Sequence, residues 1–169
     1  MHDPYARNLL SQAVVGVVER EGPITRERVL QRVREAWGVG RAGSRIRAQF
    51  DAVIDTLARN HRIIVGPGSF LRLEGAADTT IVRIPDGPAA RASQDVWPGE
   101  LELAVALMVR DAHVATVEAV SSAVATLFGW SRRGPDVSLA LERAITAAVT
   151  RGWVVRDGTT LSPGDQPKG

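Results

Sequence analysis

The feature that most limits the fold of this chain is an internal similarity at a separation of 91 residues. Residues 34–65 and 125–156 align without a gap, and their apolar positions agree although few residues are identical. The matched positions include Trp37 with Phe128, Gly38 with Gly129, Gly43 with Gly134 and Ile54 with Ile145. Two copies are too few for a solenoid of stacked repeats. The sequence therefore predicts two similar small domains.

In the first copy, apolar residues recur at helical spacing in three segments. We predict one helix over Leu9–Val18, a second from an N-cap at Thr25 to Trp37, and a third after an N-cap at Ser44. The letters GPGS then lie between two short apolar runs, RIIV and FLRL. Such a Gly/Pro turn between β-prone runs predicts a β-hairpin.

The second copy repeats this order of elements. Its helices are predicted over Glu100–Arg110, Val117–Phe128 and Pro135–Arg151, and its two strands lie on either side of the Asp157–Gly158 turn. Three helices followed by a hairpin is the order of a winged helix, in which a helix-turn-helix core carries a β-wing. The predicted fold class is α+β, mainly helical, arranged as a tandem winged-helix repeat.

Domain boundaries follow from the repeat and from local composition. We predict a first domain over 1–75, a linker over 76–97, a second domain over 98–163 and a disordered tail over 164–169. Within the linker, Thr79–Ile84 alternates like a short strand that could extend the first wing. Residues 85–95 are rich in Pro, Gly and Ala, as is typical of a flexible connection.

Composition and charge exclude several classes of protein. The absence of cysteine excludes disulfides, thiolate metal sites and cysteine nucleophiles. The N-terminus is not that of a signal peptide, and no apolar run approaches the roughly 20 residues of a membrane helix. We therefore expect a cytoplasmic protein without membrane contact. The net charge is +2, but residues 1–74 carry +4 and residues 75–169 carry −2, which favours a polyanionic partner for the first half.

Three glycines in the first copy match the letters of a cofactor motif. Gly38, Gly40 and Gly43 form G-x-G-x-x-G, which marks a dinucleotide site when it lies between a strand and a helix. Here a predicted helix ending at Trp37 precedes it, and the second copy has Ser131 in place of the middle glycine. We therefore predict no cofactor. Gly38 is expected just after the second helix with a positive φ, and the other two glycines in a tight turn.

Arginines cluster around the start of the third helix and in the wing of the first copy. The candidate nucleic-acid-binding residues are Arg41, Ser44, Arg45, Arg47, Arg62 and Arg72. In a helix-turn-helix, the start of the recognition helix enters the major groove, and its free N–H groups can hold a phosphate. The alternative, which the sequence leaves open, is that the arginines form ion pairs with Glu35, Asp51 and Asp55 on a solvated surface.

The second copy is a poorer candidate for DNA contact. Its third helix contains ALERAITAAVT, whose small apolar residues are typical of a packing face against another domain or chain. Trp130 follows a glycine in a predicted loop, and together with Trp97 it is a candidate anchor of a protein interface. Trp37 and Trp153 occupy apolar positions of the repeat, which predicts that both lie in the core.

Signals of an enzyme are weak. The three histidines, His2, His61 and His113, lie in separate predicted elements, and none has a second ligand at metal-binding spacing. There is no G-x-S-x-G nucleophile elbow and no P-loop. We predict a protein with no catalytic residue, no metal and no small-molecule substrate.

Several residues of the first copy carry a family resemblance. These residues are Glu21-Gly22-Pro23-Ile24, Val33, Trp37-Gly38, Arg41 and Gly43-Ser44-Arg45-Ile46. Over about residues 10–73 the copy resembles a bacterial domain family of unknown function found at the C-terminal end of superfamily-one helicase-like proteins. The second copy shares only Phe128-Gly129, Arg132-Arg133-Gly134 and the strand–turn–strand end, and it has Pro135-Asp136 in place of Ser44-Arg45. The resemblance implies winged-helix modules attached to nucleic-acid enzymes and names no activity of its own.

Two functional hypotheses follow from these observations. The leading one is a non-enzymatic tandem winged-helix protein that binds DNA mainly through the third helix and wing of the first copy. The rival is a protein-interaction or dimerisation module, with a second copy of itself or a helicase or nuclease as its partner. The near-neutral total charge and the acidic second half favour the rival.

Overall fold

The computed structural model describes residues 4–76, 81–84 and 91–165. The chain divides into two units, Met1–Ala76 (unit 1) and Ala77–Gly169 (unit 2). Both are α+β, mainly helical, and each contains three long helices and one small antiparallel sheet in its described part. This confirms the predicted α+β class.

The elements of unit 1 are α1 (Pro4–Glu21), β1 (Ile24–Thr25), α2 (Arg26–Ala36), α3 (Ser44–Arg59), β2 (Ile63–Val65) and β3 (Phe70–Leu73). A 3₁₀ turn over Pro67–Ser69 joins β2 to β3. The sheet has the order β1-β3-β2, and Ile24 pairs with Leu71 across the first ladder. The hairpin is therefore joined by a third, two-residue strand that the sequence pattern did not indicate.

The core of unit 1 is built from the apolar faces of its three helices. Val14 and Val18 are four residues apart on α1, and Phe50 and Ile54 are four residues apart on α3, so each pair lies on one helix face. All four are at most 2% exposed, and Leu71 of β3 closes the core from the sheet side.

The elements of unit 2 are α4 (Pro98–Ala112), β4 (Ala115–Thr116), α5 (Val117–Leu127), α6 (Pro135–Thr150), β5 (Val154–Asp157) and β6 (Thr160–Pro163). A short 3₁₀ turn, Ser93–Asp95, precedes α4. The sheet order β4-β6-β5 corresponds to that of unit 1. The second and third helices of the two units begin 91 residues apart, at Arg26 and Val117 and at Ser44 and Pro135.

The helix caps differ in part from the sequence prediction. The N-cap of α3 is Gly43 with extended backbone, and Ser44 is already the first helical residue. Thr25 precedes α2 in the N-cap position but makes no side-chain capping bond. In unit 2 the equivalent Thr116 does cap: its hydroxyl accepts a hydrogen bond from the amide of Ala119 at 3.1 Å.

The loop glycines have different roles. Gly38 follows α2 with a φ of +66°, and Gly129 follows α5 with a φ of +75°. This left-handed conformation favours glycine, so the prediction for Gly38 is confirmed. Gly40 and Gly43 do not have positive φ, and a Cβ on either would meet open space. The second and third glycines of the motif are therefore not required by backbone geometry.

Apart from Ala76, the described residues of the predicted linker belong to unit 2. Of the strand predicted over Thr79–Ile84, residues 79–80 lie outside the described residues, and 81–84 form no strand. Val82 instead packs against the core of unit 2. Of the flexible connection predicted over 85–95, residues 85–90 lie outside the described residues, while 91–95 pack on unit 2 and lead to the buried Val96.

Two residues of the predicted disordered tail form backbone hydrogen bonds with residues that precede and adjoin β5. The amide of Gly164 donates to the carbonyl of Trp153 at 3.0 Å, and the amide of Asp165 donates to the carbonyl of Gly152 at 2.7 Å. Residues 164 and 165 therefore continue the sheet edge, and the rest of the predicted tail, 166–169, lies outside the described residues. None of the helices in the described ranges combines the length and apolar character needed to cross a bilayer.

Candidate functional site

Arg41, Ser44 and Arg45 lie together at the start of α3, and all three are exposed. Gly43 leaves the amides of the first turn without a side-chain cap, and that turn contains no acidic residue. Among the residues that the structure describes, neither Arg41 nor Arg45 takes part in an ion pair or a side-chain hydrogen bond. This end of α3 therefore presents two guanidinium groups beside uncompensated N–H groups, an arrangement that attracts anions.

Arg47, on the same first turns of α3, is in a different situation. Its Nη1 and Nη2 donate to the two carboxylate oxygens of Glu27 at 2.8 and 3.1 Å. These hydrogen bonds lower the pKa of Glu27 below its ordinary value of 4.5 and raise the pKa of Arg47. The ion-pair alternative therefore holds for Arg47, although its partner is Glu27 and not one of the predicted acids.

The predicted acidic partners are engaged by other arginines. Arg26, at the start of α2, lies 3.0 Å from Asp51 and 3.5 Å from Asp55 of α3. Glu35 pairs with Arg32 of its own helix at 3.4 Å. The outward face of α3 beyond its first turns therefore carries carboxylates, which would repel a phosphate backbone lying along the whole helix.

The two wing arginines do not join the cluster at the start of α3. The 16 residues of α3 span about 24 Å, and Arg62 follows the far end. Arg72, in β3, donates from Nη1 to the carbonyl of Ala76 at 3.1 Å. The hairpin turn returns toward the other end, because Ser69 lines a pocket together with Arg47. The turn of the wing is thus nearer to the cluster than either arginine.

The start of α6 in unit 2 has a different charge. Asp136 places a carboxylate in the first turn, after Gly134 and Pro135. Arg133 donates to Glu118 of α5, which lowers the pKa of Glu118 and raises that of Arg133. Of the arginines beside this helix start, Arg132 is exposed and has no partner among the described residues. The anion-attracting arrangement of α3 is not repeated.

The structure reverses two predictions about tryptophans. Trp130, expected on the surface, is 8% exposed, stacks on Phe128 with 5.2 Å between ring centroids, and donates from Nε1 to the carbonyl of Arg91 at 2.6 Å. A buried, hydrogen-bonded indole is not available as a surface anchor. Trp37, expected in the core, is 50% exposed. Trp97, the other interface candidate, is half-buried at the N-cap of α4, and Trp153 is half-buried beside the core of unit 2.

The exposed face of Trp37 belongs to an apolar groove that the sequence analysis missed. The groove has a volume of about 540 Å³ and lies between α1, α2 and α3 within unit 1. Its wall includes Leu10, Trp37, Val39 and Ile46, and Ile46 is 39% exposed. Periodicity placed Leu10, Trp37 and Ile46 on the apolar sides of their predicted helices. It did not reveal that no described residue of unit 1 covers them.

Comparison with known proteins identifies one region. The family model of a protein of unknown function (DUF3320) matches residues 1–48. No curated protein and no solved structure matches the chain. The matched segment covers α1, β1, α2 and the first turn of α3, so it contains Arg41, Arg45 and Trp37. It leaves out the hairpin of unit 1 and all of unit 2.

No metal centre is found in the described ranges, where no group of three or more His, Asp or Glu side chains is placed to hold an ion. His61 has a φ of +52° and lies 3.8 Å from Glu74, and His113 follows α4. The candidate sites that remain on the described surface of unit 1 are the arginine cluster at the start of α3 and the apolar groove lined in part by Ile46 of the same helix.

Proposed function

We propose that each unit is a winged-helix domain and that the chain is a non-enzymatic cytoplasmic protein that binds duplex DNA through unit 1. The observation that carries this proposal is the pair of exposed, uncompensated arginines, Arg41 and Arg45, at the uncapped start of α3. In a helix-turn-helix this is the end of the recognition helix that enters the major groove.

The order of elements supports the proposal. α2, a seven-residue turn over 37–43 and α3 have the order of a helix-turn-helix, and the β2–β3 hairpin follows directly as a wing. The turn of the hairpin lies on the side of Arg47, so the wing and the start of α3 can face one duplex. Unit 2 has the same elements with Asp136 at the corresponding helix start, which favours unit 1 as the binding unit.

The charges limit how DNA would be held. Arg47 is compensated by Glu27, and Arg26 is occupied by Asp51 and Asp55. Arg41 and Arg45 can therefore make two phosphate contacts, and Arg62 can add a third only if the duplex also reaches the far end of α3. Recognition would be mainly electrostatic, since phosphate contacts carry no sequence information directly.

Fluorescence anisotropy with a labelled 20-base-pair duplex and the corresponding single strand, across a salt series, tests this function. With two or three phosphate contacts, log K should fall against log salt with a slope of about −2 to −3. Replacing both Arg41 and Arg45 by alanine should flatten the slope by about two. Arg20→Ala is the matched control for the single variant Arg45→Ala, because each removes one positive charge and Arg20 lies in the last turn of α1, whereas the groove is lined by residues of its first turns.

Two outcomes would contradict DNA binding through this cluster. One is the absence of duplex binding at 25 mM salt. The other is an equal loss of affinity in Arg20→Ala and in Arg45→Ala, since that would indicate a response to net charge alone. Tighter binding of the single strand would leave the cluster in place and change the ligand from duplex to unpaired nucleic acid.

The apolar groove favours a second function. Exposed Trp37 and Ile46 beside a 540 Å³ groove are typical of protein recognition, in which aromatic and aliphatic anchors carry most of the binding energy. Association with a helicase or nuclease, or with a second copy of the chain, is a proposal on this basis. Light scattering over a concentration series separates the homodimer from a different partner.

A further inference from the structure

In unit 2, the face that corresponds to the groove of unit 1 is covered by the chain itself. Residues 91–96 run across it before α4 begins. Val96 is 2% exposed and lies within the core of unit 2, and the 3₁₀ turn over Ser93–Asp95 packs on α6. The carbonyl of Arg91 accepts the hydrogen bond from the indole of Trp130 at 2.6 Å. We call residues 91–96 the covering segment.

A buried carboxylate holds the covering segment in place. Glu100, in the first turn of α4, is 0% exposed. Its oxygens accept from Arg91 Nη1 at 2.7 Å and Arg83 Nη2 at 2.9 Å, and also from the backbone amide of Arg83 at 2.7 Å. Arg91 also donates to the carbonyl of Asp95 at 3.0 Å. One carboxylate therefore binds both described parts of unit 2 before α4, residues 81–84 through Arg83 and the covering segment through Arg91.

The groove of unit 1 is the uncovered counterpart of that face. Through the 91-residue alignment, Leu10, Trp37, Val39 and Ile46 correspond to Leu101, Phe128, Trp130 and Val137. Phe128 is 0% exposed, whereas Trp37 is 50% exposed. No described residue of unit 1 takes the place of the covering segment, and Glu100 has as its counterpart Leu9, which is 43% exposed. Through the same alignment residues 92–96 correspond to residues 1–5, of which 1–3 lie outside the described residues, so it is the described part of unit 1 that shows the apolar seat without a covering peptide.

The charged residues that line the groove indicate the charge of a ligand that would bind there. Arg7 and Arg34 are among its lining residues, and none of the lining residues is acidic. Arg34 is fixed by donating to the carbonyls of Val39 and Gly40, so its charge stays beside the groove. The corresponding positions in unit 2 are Pro98 and Ala125, which are uncharged. The extra positive charge in unit 1 favours an acidic ligand.

We propose that the groove of unit 1 binds an extended acidic peptide segment of a partner protein, seated as residues 91–96 are seated on unit 2. One branched aliphatic side chain enters the groove in the manner of Val96. Carboxylates on either side face Arg7 and Arg34. This inference does not depend on DNA binding, because the cluster of Arg41 and Arg45 and the groove wall are separate sets of residues.

The test uses the intact chain and a fluorescein-labelled peptide, EASQDVWEG. This is the sequence of residues 91–99 with Arg91 and Pro98 replaced by glutamate. Binding with a Kd in the range of about 10–100 µM is expected, as for a short segment with one anchor. Two further peptides serve as comparisons: one has serine in place of the valine, and the other has lysine in place of its three acidic residues. Both should bind at least tenfold more weakly.

Variants of the protein locate the site. Trp37→Ser and Ile46→Ser should each weaken peptide binding at least tenfold, because both side chains form the exposed wall of the groove. Val65→Ser is the matched control, since Val65 is 43% exposed on β2 and does not line the groove. Amide spectra of each variant confirm folding, and the peptide should shift the amide signals of Leu10, Trp37 and Ile46 in the parent chain.

Several results would overturn the proposal. They are no peptide binding up to 1 mM, equal binding of the acidic and lysine peptides, and an equal loss in Val65→Ser. If the chain dimerises in light scattering and Trp37→Ser makes it monomeric, the groove takes a second copy instead. If a duplex DNA fragment displaces the peptide and Trp37→Ser weakens DNA binding to the same extent, the groove belongs to the nucleic-acid surface.

Discussion

Units 1 and 2 have the same elements in the same order, yet corresponding apolar faces are buried in unit 2 and partly exposed in unit 1. In unit 2, Phe128 and Trp130 are buried beneath residues 91–96. In unit 1, Trp37 at the same point of the alignment is half exposed. One position at which the units differ is Glu100 in α4, whose counterpart in α1 is Leu9. The buried carboxylate of Glu100 binds Arg83 and Arg91 in unit 2, whereas the exposed side chain of Leu9 offers no acceptor for an arginine.

The two units also differ in the charged residues at the starts of their third helices, α3 and α6. Both units pair the acid in the first turn of the second helix with a nearby arginine, Glu27 with Arg47 and Glu118 with Arg133. The arginines occupy different positions in the alignment, so the pairing leaves Arg41 and Arg45 exposed in unit 1. The helical framework is shared, and a few surface residues give the starts of α3 and α6 different charges.

The largest expected difference between the units is at the aligned aromatic positions. Phe128→Ala should destabilise unit 2 by about 3–5 kcal/mol, because a fully buried ring leaves a cavity. Trp37→Ala should cost about 1 kcal/mol, because half of its side chain is already in water. Urea unfolding of the full chain measures both. Equal losses would mean that the groove of unit 1 is closed in solution and that the two faces do not differ.

Substitution of Glu100, whose carboxylate binds Arg91 of the covering segment, should have the next largest effect on stability. Glu100→Gln removes a buried charge between Arg83 and Arg91 and should destabilise unit 2 by about 3 kcal/mol. Hydrogen exchange at the Arg83 amide, which donates to Glu100, should accelerate at the same time. Leu9→Gln at the aligned exposed position is the control and should change stability by less than about 0.5 kcal/mol. Unchanged exchange at Arg83 in Glu100→Gln would show that the carboxylate does not hold the backbone of Arg83.

The glycines that follow α2 and α5 should respond alike to substitution by alanine. Gly38→Ala and Gly129→Ala each force a side chain into the left-handed region and should each cost about 1 kcal/mol. Gly40→Ala should be neutral or slightly stabilising, because its φ is not positive and a Cβ there meets open space. Thermal unfolding compares the three variants. A cost at Gly40 equal to that at Gly38 would restore a structural role to the whole glycine motif.

The sequence predicted the parts of the fold that local patterns determine. Helical spacing located α2 and α6 to within about one residue at each end, and the turn residues indicated both hairpins. The strands β1 and β4 were missed, because two residues are too short to show alternation. The N-cap of α3 was misplaced by one residue, since Gly43 and Ser44 are both favourable caps.

The sequence indicated which residues lie around the candidate site, but it did not indicate which of them form ion pairs or which are exposed. The alignment fixed Trp37 and Phe128 as equivalent, yet exposure depends on a covering segment distant from both in sequence. The indole of Trp130 was expected in solvent because its loop position is visible in the sequence, while its hydrogen bond to the Arg91 carbonyl is not. Likewise Arg47 had several acids within reach along the chain, and only the packing of α2 on α3 selects Glu27.

The smallest expected effect concerns the two glutamate–arginine pairs that distinguish the helix starts. The pKa values of Glu27 and Glu118 are both lowered, so each ion pair favours the folded state above the ordinary value of 4.5, and this contribution is lost as pH falls through the lowered pKa. NMR titration of the carboxyl carbons should show Arg47→Ala returning the pKa of Glu27 toward 4.5 without affecting Glu118, and Arg133→Ala doing the reverse. A pKa of Glu27 that does not respond to Arg47→Ala would mean that the pair is open in solution. Arg47 would then be free to act with Arg41 and Arg45, and the salt slope for DNA should be steeper by about one contact.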